Sequence, residues 1–297
     1  MSAISVRGLV KAYGDNRAVD GIDLHVDQGE VVAVLGPNGA GKTTTIEILE
    51  GFRTRDEGDV SVLGMDPATA GRELRDRIGI VLQESGIEDE LTVAEALRHH
   101  ALPYSRKLPV DQVIGQVGLG DKAGARIKTL SGGQRRRLDL ALALVSDPDL
   151  IFLDEPTTGF DPAARRRSWS VIRSLAEAGK TILLTTHYLD EAQELADRVV
   201  VISGGRVVAE GTPDQIGGRS ERPATIRFRA RAEDARRLGL EANDGVVTIS
   251  TTTPTEELHR ITGMAIEAGI ELEDLEVRRP TLEDTYLRLV GEEGGEE

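Results

Sequence analysis

The chain opens with short runs of alternating apolar and polar residues, "AISVRGLVKAYG", "GIDLHV" and "GEVVAVLG", separated by turn-forming residues. A period near two between turn signals predicts β-strands. After Thr43 the spacing in "TTTIEILEGF" becomes helical, so the glycine-rich stretch before it lies between a strand and a helix. Residues 84–145 contain no strong strand run, and "TVAEALRHHAL" and "QRRRLDLALALV" place apolar positions three and four apart, which predicts helices. Two continuous apolar runs follow, "DLIFLDE" and "KTILLTTH", separated by the helical segment "PAARRRSWSVIRSLAEAG". Strands apolar on both faces belong in a parallel sheet covered on both sides, and the three segments form a strand-helix-strand unit. "RVVVISGGRVVAEGT" then reads as strand, turn and strand.

From Gly217 to Pro223 a stretch containing Gly, Arg, Ser and Pro marks a linker. Beyond it "ATIRFRAR", "AEDARRLGL", "GVVTIST", "PTEELHRITGMAIEAG", "IELEDLEVRR" and "TLEDTYLRLVG" read as β, α, β, α, β, α. Thr281 with Asp284 resembles a helix cap in which Asp replaces the usual Glu. The expected organisation is a large domain over 1–216, a linker over 217–223, a small α+β domain over 224–290 and a solvated acidic tail over 291–297.

A length of 297 residues accommodates two such cores. With aromatics at 3%, aliphatic side chains must build them. The net charge of −15 repels polyphosphate backbones as a whole, so nucleic acid is not an expected partner. With no cysteine, disulfides, Cys-ligated zinc and thiol catalysis are excluded. Runs such as "VVAVLG" and "TILLTT" are strand-sized, short of the roughly 18 apolar residues a membrane span needs. The N-terminus has neither an apolar signal core nor an Arg-rich presequence, which predicts a cytoplasmic location.

The chemistry begins at "GPNGAGKT", which satisfies the pattern G-x-x-x-x-G-K-[ST]. Gly36, Pro37, Asn38, Gly39, Ala40 and Gly41 form a small-residue loop whose backbone N–H groups turn inward around phosphate oxygens, and the helix through Thr44 adds its positive end. Lys42 reaches the β- and γ-phosphates and Thr43 offers a hydroxyl to Mg²⁺. Such a loop needs a carboxylate on a neighbouring strand, and Asp154 emerges at the end of "LIFLDE". Glu155 follows, either to orient or deprotonate an attacking water or as a solvated strand-end charge. His187 closes "TILLTTH" beside the same site; elsewhere a lone histidine reads as structural or solvated. His99 and His100 show no metal-ligand spacing and read as surface residues.

A second glycine pair lies in "LSGGQ", Leu130 to Gln134, at the head of a helix. Ser131, Gly132 and Gly133 offer a hydroxyl, N–H groups and a helix N-terminus to an anion, or simply a capped helix with glycines before it. The arginines that follow, within an acidic chain, read as solvated or lining a subunit seam.

In order, "GPNGAGKTT", Gln83 in "GIVLQES", "LSGGQ", "LIFLDEP", "TTGFDP" and "TTH" resemble the ATP-binding-cassette family of ATPases, over residues 1 to about 215. The resemblance implies an α/β fold, a RecA-like P-loop NTPase core with an antiparallel β subdomain and a helical signature subdomain. It implies a head-to-tail homodimer in which the signature of one subunit closes over ATP held by the P-loop of the other. By position, Ser131 and Gly133 contact that γ-phosphate, Gln83 senses the Mg²⁺ and γ-phosphate region, and Asp161 lines the seam. Tyr13 stacks on adenine, or is a strand-face core residue. "TGFDP" stands where "SGLDP" is usual, so Thr158 and Phe160 alter the seam packing.

"LQESGIEDELTV", "GGQRRRLDLALALVSDPDLIFLDEPTTGFDP" and "RRPTLEDTYLRL" resemble ATPase subunits of the daunorubicin-resistance group of ABC-2 type exporters. That implies ATP and Mg²⁺ as cofactors and a separate membrane permease, contacted through Glu84–Leu97, that carries drug, lipid or glycan-like cargo. The expected location is then the cytoplasmic face of the membrane, with the C-terminal domain docking against its twin or the permease or, as the alternative, sensing a ligand. Two other readings are a soluble cassette ATPase remodelling a cytoplasmic complex and a regulatory subunit that does not hydrolyse ATP. The presence of Glu155 and His187 opposes the second.

Overall fold

Two long strands open the structure, a computed structural model that describes residues 2–81, 86–216, 223–279, 282, 283, 285 and 286. β1 (Ser2–Tyr13) and β2 (Asn16–Asp27) pair as an antiparallel hairpin, and β3 (Val31–Leu35), buried along its whole length, leads to α1 (Lys42–Leu49). β4 (Glu57–Val62) pairs with β1 and completes a three-stranded sheet ordered β2-β1-β4. A single turn, α2 (Arg72–Arg75), precedes β5 (Ile78–Val81). Three helices follow: α3 (Val93–Ala101), α4 (Val110–Gln116) and α5 (Gly132–Leu144). Thr92 and Glu95 close a reciprocal capping box at the head of α3, whose Val93, Ala96 and Leu97 face the interior.

β6 (Leu150–Asp154), α6 (Pro162–Glu177), β7 (Thr181–Thr186), α7 (Leu189–Leu195), β8 (Arg198–Ser203) and β9 (Arg206–Gly211) then build the main sheet, and α8 (Pro213–Ile216) follows. Its order is β5-β6-β7-β3-β8-β9, parallel except for β9. One face contributes Val32, Val34, Phe152, Leu183, Val200 and Ile202 to a core shared with α1 and the antiparallel sheet. The opposite face, with Ala33, Leu35, Ile151, Leu184 and Val201, is equally buried. Both faces are covered, which is why the strands read as unbroken apolar runs.

The sheet order corrects one expectation. Asp154 does not end a strand adjacent to the P-loop strand, because β7 lies between β6 and β3. The β6-α6-β7 crossover advances one strand toward β3, and register aligns Asp154, Thr185 and Val34 across the three strands.

The chain divides into two compact units, Met1–Pro213 and Asp214–Glu297. The second contains β10 (Ala224–Arg229), α9 (Ala232–Arg237), β11 (Val246–Thr251), α10 (Pro254–Ala268) and β12 (Glu273–Arg278). Its antiparallel sheet runs β11-β10-β12 around Ile226, Phe228, Leu238, Val247 and Ile261. Gln83, linker residues 217–222, the Thr281 and Asp284 cap and the 291–297 tail lie outside the described residues, as does most of the last expected helix. Among the described residues no helix is long and apolar enough to cross a membrane.

Glu50 ends α1 inside the first core at 6% exposure. Burial, reinforced by the charges of Asp154 and Glu47, pushes its carboxyl from an ordinary value of 4.5 up to about 8. The folded state therefore keeps a proton that the unfolded chain releases, so this contribution to stability is fully present below pH 4.5 and is lost as pH rises through about 8. Glu50→Gln keeps the position neutral. Thermal melts between pH 4.5 and 8 should show the variant gaining on the parent as pH rises, and parallel profiles would refute the assignment.

Candidate functional site

The P-loop is held by backbone pressed against glycine. A Cβ on Gly36 would sit 2.3 Å from the Ile202 carbonyl oxygen, and one on Gly41, left-handed at φ 98°, 2.2 Å from that of Ala18. The ends of β8 and β2 thus brace the loop directly, and the Gly205 N–H adds a bond to the Ala40 carbonyl at 3.2 Å. Asn38 and Gly39 are exposed, Pro37 and Thr44 half-buried and Ala40 buried. Lys42 is 7% exposed, and its Nζ donates to the carbonyls of Gly36 (2.7 Å) and Pro37 (2.9 Å). Burial lowers its pKa, while the charges of Glu155 and Asp154 favour the cation. The Thr43 side chain is exposed at the first turn of α1. Tyr13 is 43% exposed and therefore not a core residue; Arg53 Cζ lies 5.5 Å and Lys11 Nζ 5.8 Å from its ring centre.

On the other side of β7 the Asp154 carboxylate and the Glu155 backbone are stitched together by Thr185. Its hydroxyl donates to Asp154 Oδ1 and accepts from the Glu155 N–H at 3.1 Å, which also bonds the Thr185 carbonyl. Glu155 adopts φ 46°, a left-handed conformation that costs a non-glycine residue on the order of 1 kcal/mol. That turn aims its side chain at His187: Oε1 lies 3.2 Å from His187 Nδ1, and Oε2 accepts from Thr158 Oγ1 at 3.1 Å. An ionised carboxylate only accepts, so Nδ1 carries the proton in this contact and Nε2 remains for another partner.

Ser131 caps α5. Its Oγ accepts from the Gln134 N–H at 3.3 Å and Gln134 Oε1 returns the bond to the Ser131 N–H at 2.9 Å. Leu130 is half-buried just before the cap, and Gly132 and Gly133 open the first turn. Ser131, Gly133, Glu155, Phe160, Asp161 and Arg167 line one cavity of about 700 Å³. Asp161 in turn caps α6, accepting from the N–H groups of Ala163 and Ala164 at 2.9 Å, and these bonds hold its carboxyl below the usual range.

The three arginines after the signature are neither free nor simply solvated. Arg135 pairs with Asp89 at 2.6 Å, and Arg137 donates to the Gly118 carbonyl at 2.8 Å. Arg136, with a side chain 13% exposed, donates through Nη2 to the carbonyls of Asp154 (2.9 Å) and Glu155 (3.4 Å) and through Nε to that of Pro156 (3.3 Å). It clamps the turn that carries both carboxylates. The signal available in the sequence was phase: Arg136 lies one helical turn before buried Leu140, on the inward face of α5. Thr185 also escaped the sequence reading, and Thr158, expected only in the seam packing, proves to bind the Glu155 carboxylate as well.

The chain matches the ABC transporter family model over residues 19–158. It is 42% identical over 307 residues to the daunorubicin/doxorubicin resistance ATP-binding protein of Streptomyces peucetius, covering 97% of this chain and 92% of that one. It is 38% identical over 309 residues to the Nod factor export ATP-binding protein I of Burkholderia lata, covering 99% and 98%. A dimeric ATP-binding cassette solved in a post-hydrolysis state with ADP and Pi superimposes with TM-score 0.61 at 26% identity, covering 70% of this chain and 98% of that one. This chain belongs to the ABC transporter family and is one of its ATPases.

Arg136→Leu removes the donors to three carbonyls of the Asp154–Pro156 turn. Steady-state ATPase assays should show kcat reduced by about tenfold or more, with nucleotide affinity within about threefold of the parent. Arg136→Lys, which keeps the charge but not the fork, should fall between. Unchanged kcat in the Leu variant would mean the clamp does not hold Glu155 in place.

Proposed function

We propose that this ATPase subunit powers export of a drug, lipid or glycan-like cargo through a separate membrane permease, splitting ATP at sites shared between two copies of the chain. The observation that carries the reading is the 3.2 Å contact of Glu155 with His187 at the ends of adjacent strands, with Lys42 opening the helix that follows β3, the next strand of the same row. Lys42 exchanges its two carbonyl partners for the β- and γ-phosphate oxygens. Glu155 orients the attacking water and takes its proton, while His187 holds the carboxylate through Nδ1–H and, as the imidazolium, donates Nε2–H to a γ-phosphate oxygen. Tyr13 and the P-loop from Gly36 to Thr44 hold the rest of the nucleotide.

Thr43 and Asp154 present a hydroxyl and a carboxylate, hard oxygen donors that suit Mg²⁺, and Gln83 would join them. Among the described residues no three His, Asp or Glu side chains gather to hold a metal, so such an ion would take its remaining ligands from phosphate and water. When bound it neutralises charge on the β- and γ-phosphate oxygens.

The signature Leu130–Gln134 serves the second copy. Ser131 uses Oγ as an acceptor in the helix cap, which leaves its proton to donate to a γ-phosphate held by the partner, beside the Gly133 N–H. Asp161 lies at the seam. The 2.6 Å pair of Arg135 with Asp89 links the signature helix to the segment ending at Leu97, a physical route from nucleotide to permease. The names of the relatives, resistance to daunorubicin and doxorubicin and export of Nod factor, support export. In this reading the chain sits on the cytoplasmic face of the membrane, and the domain over 224–290 docks against its twin or the permease.

Two variants test the site. Glu155→Gln should bind ATP normally, accumulate as an ATP-loaded dimer by light scattering, and lose about 100-fold or more of its turnover; hydrolysis at the parental rate would remove Glu155 from the role of base. Ser131→Arg in that background should still bind ATP but stay monomeric, whereas a persisting ATP-dependent dimer would sink the shared-site reading. For export, the chain should co-purify with a polytopic membrane protein that stimulates its ATPase activity. Full activity in a stable complex without any membrane fraction would instead indicate a soluble machine.

A further inference from the structure

Glu191, on α7, is 0% exposed, yet no described cation lies within ion-pair distance of it. Its Oε1 accepts from Thr157 Oγ1 at 2.7 Å and from the indole Nε1 of Trp169 at 3.0 Å, and its Oε2 is buried with no hydrogen bond among the described residues. A buried carboxylate with no direct ion pair, balanced only at longer range by the charge of Arg136, weakens the fold relative to an apolar side chain of similar size. The three elements it joins suggest what is gained. Thr157 lies two residues after Glu155, Trp169 is on α6, which Asp161 caps, and Glu191 sits in the first turn of the helix that follows His187.

We propose that Glu191 is a positioning residue for ATP hydrolysis: one carboxylate oxygen, shared by Thr157 and Trp169, fixes the Glu155 turn, α6 and the His187 segment relative to one another. Without it, the 3.2 Å Glu155–His187 contact would depend on side chains that are 18% and 40% exposed. A parallel ladder supports the same joint. Arg165, one turn before Trp169, pairs with Asp190 at 3.1 Å and stacks its guanidinium 4.1 Å from the Tyr188 ring centre. The Tyr188 ring in turn lies 4.1 Å from that of His187, and Arg173, one turn after Trp169, pairs with Glu194. These outer contacts are exposed or partly exposed, whereas Glu191 and Thr157 are both at 0%. The buried bond is therefore the one that neither salt nor solvent loosens.

The inference rests on Glu155 and His187 acting as proposed above, and the test separates the two. Glu191→Gln, Glu191→Leu, Thr157→Val and Glu155→Gln would be made in the full chain, with kcat, KM for MgATP and thermal midpoint measured for each. Gln can accept both hydrogen bonds through one oxygen, so Glu191→Gln should retain kcat within about threefold. Glu191→Leu and Thr157→Val should each lower kcat by about tenfold or more with KM within about twofold, and the double variant should be no slower than Glu191→Leu alone. The single tryptophan reports on the joint: Trp169 emission should shift in Glu191→Leu and not in Glu191→Gln. If Glu191→Leu does not fold, Thr157→Val still reads the bond. Parental kcat in Thr157→Val and Glu191→Leu, with Glu155→Gln inactive, overturns the role of Glu191 alone. Parental turnover in Glu155→Gln overturns both readings.

Discussion

One left-handed residue at the end of β6 governs the first unit. Glu155 at φ 46° is a conformation its side chain disfavours, and the backbone keeps it because independent elements close on it. Thr185 binds its N–H from the adjacent strand, Arg136 binds the carbonyls of the turn from the signature helix, and Thr158 and His187 bind its carboxylate. Each of these contacts contributes on the order of 1 kcal/mol on its own, and those to charged groups somewhat more. Together they exceed the strain, and they convert the place where a strand ends into a fixed direction for one carboxylate. A charge on a loose loop would lose that direction to thermal motion, and with it most of the advantage of a preorganised site.

The P-loop reaches the same rigidity by the opposite means, removing side chains instead of adding bonds. Gly36 and Gly41 leave no room for a Cβ because the carbonyls of Ile202 and Ala18 occupy that space. The antiparallel sheet is thus a wall of the nucleotide site through β2, and the turn between β8 and β9 is another through Gly205. Lys42 is the charged part of this stiff cradle, a buried cation with carbonyl partners and two carboxylates biasing its charge.

Much of this was legible because the chemistry is local in sequence. "GPNGAGKT", "LIFLDE" and "TILLTTH" each combine a buried strand with its functional end, so the apolar run and the motif mark the same place. What was not legible depends on strand order. Asp154 belongs one strand further from β3 than expected, because no local feature of β6 or β7 encodes which of them enters next to β3. β4 and β5 are short and their sequences, "EGDVSV" and "IGIV", gain strand character only from the partners they meet. Thr185 read as a strand residue and Arg136 as one charge in a run of three, and only the fold brings both to the carboxylate turn. Composition pointed away from Arg136: in a chain of net charge −15, a run of arginines looks like solvated surface until helical phase is applied to each one separately.

The two readings of "LSGGQ" prove to be compatible for a reason that lies in the hydroxyl group. A capping serine accepts through a lone pair, and the same oxygen keeps a proton that the cap does not use. Ser131 is such a residue: the bond from the Gln134 N–H fixes Oγ at the mouth of α5 and occupies no donor. Gln134 completes the arrangement by binding the Ser131 N–H, which leaves the N–H groups of Gly132 and Gly133, without side chains to shield them, at the positive end of the helix. A carboxylate cap such as Asp161 gives its helix the same bond but brings a negative charge and no proton. Serine at position 131 and aspartate at position 161 are thus equivalent as caps and opposite toward a phosphate. That difference is what favours α5 over α6 as the anion-receiving surface in the proposed shared site, although both helix ends open on the same cavity.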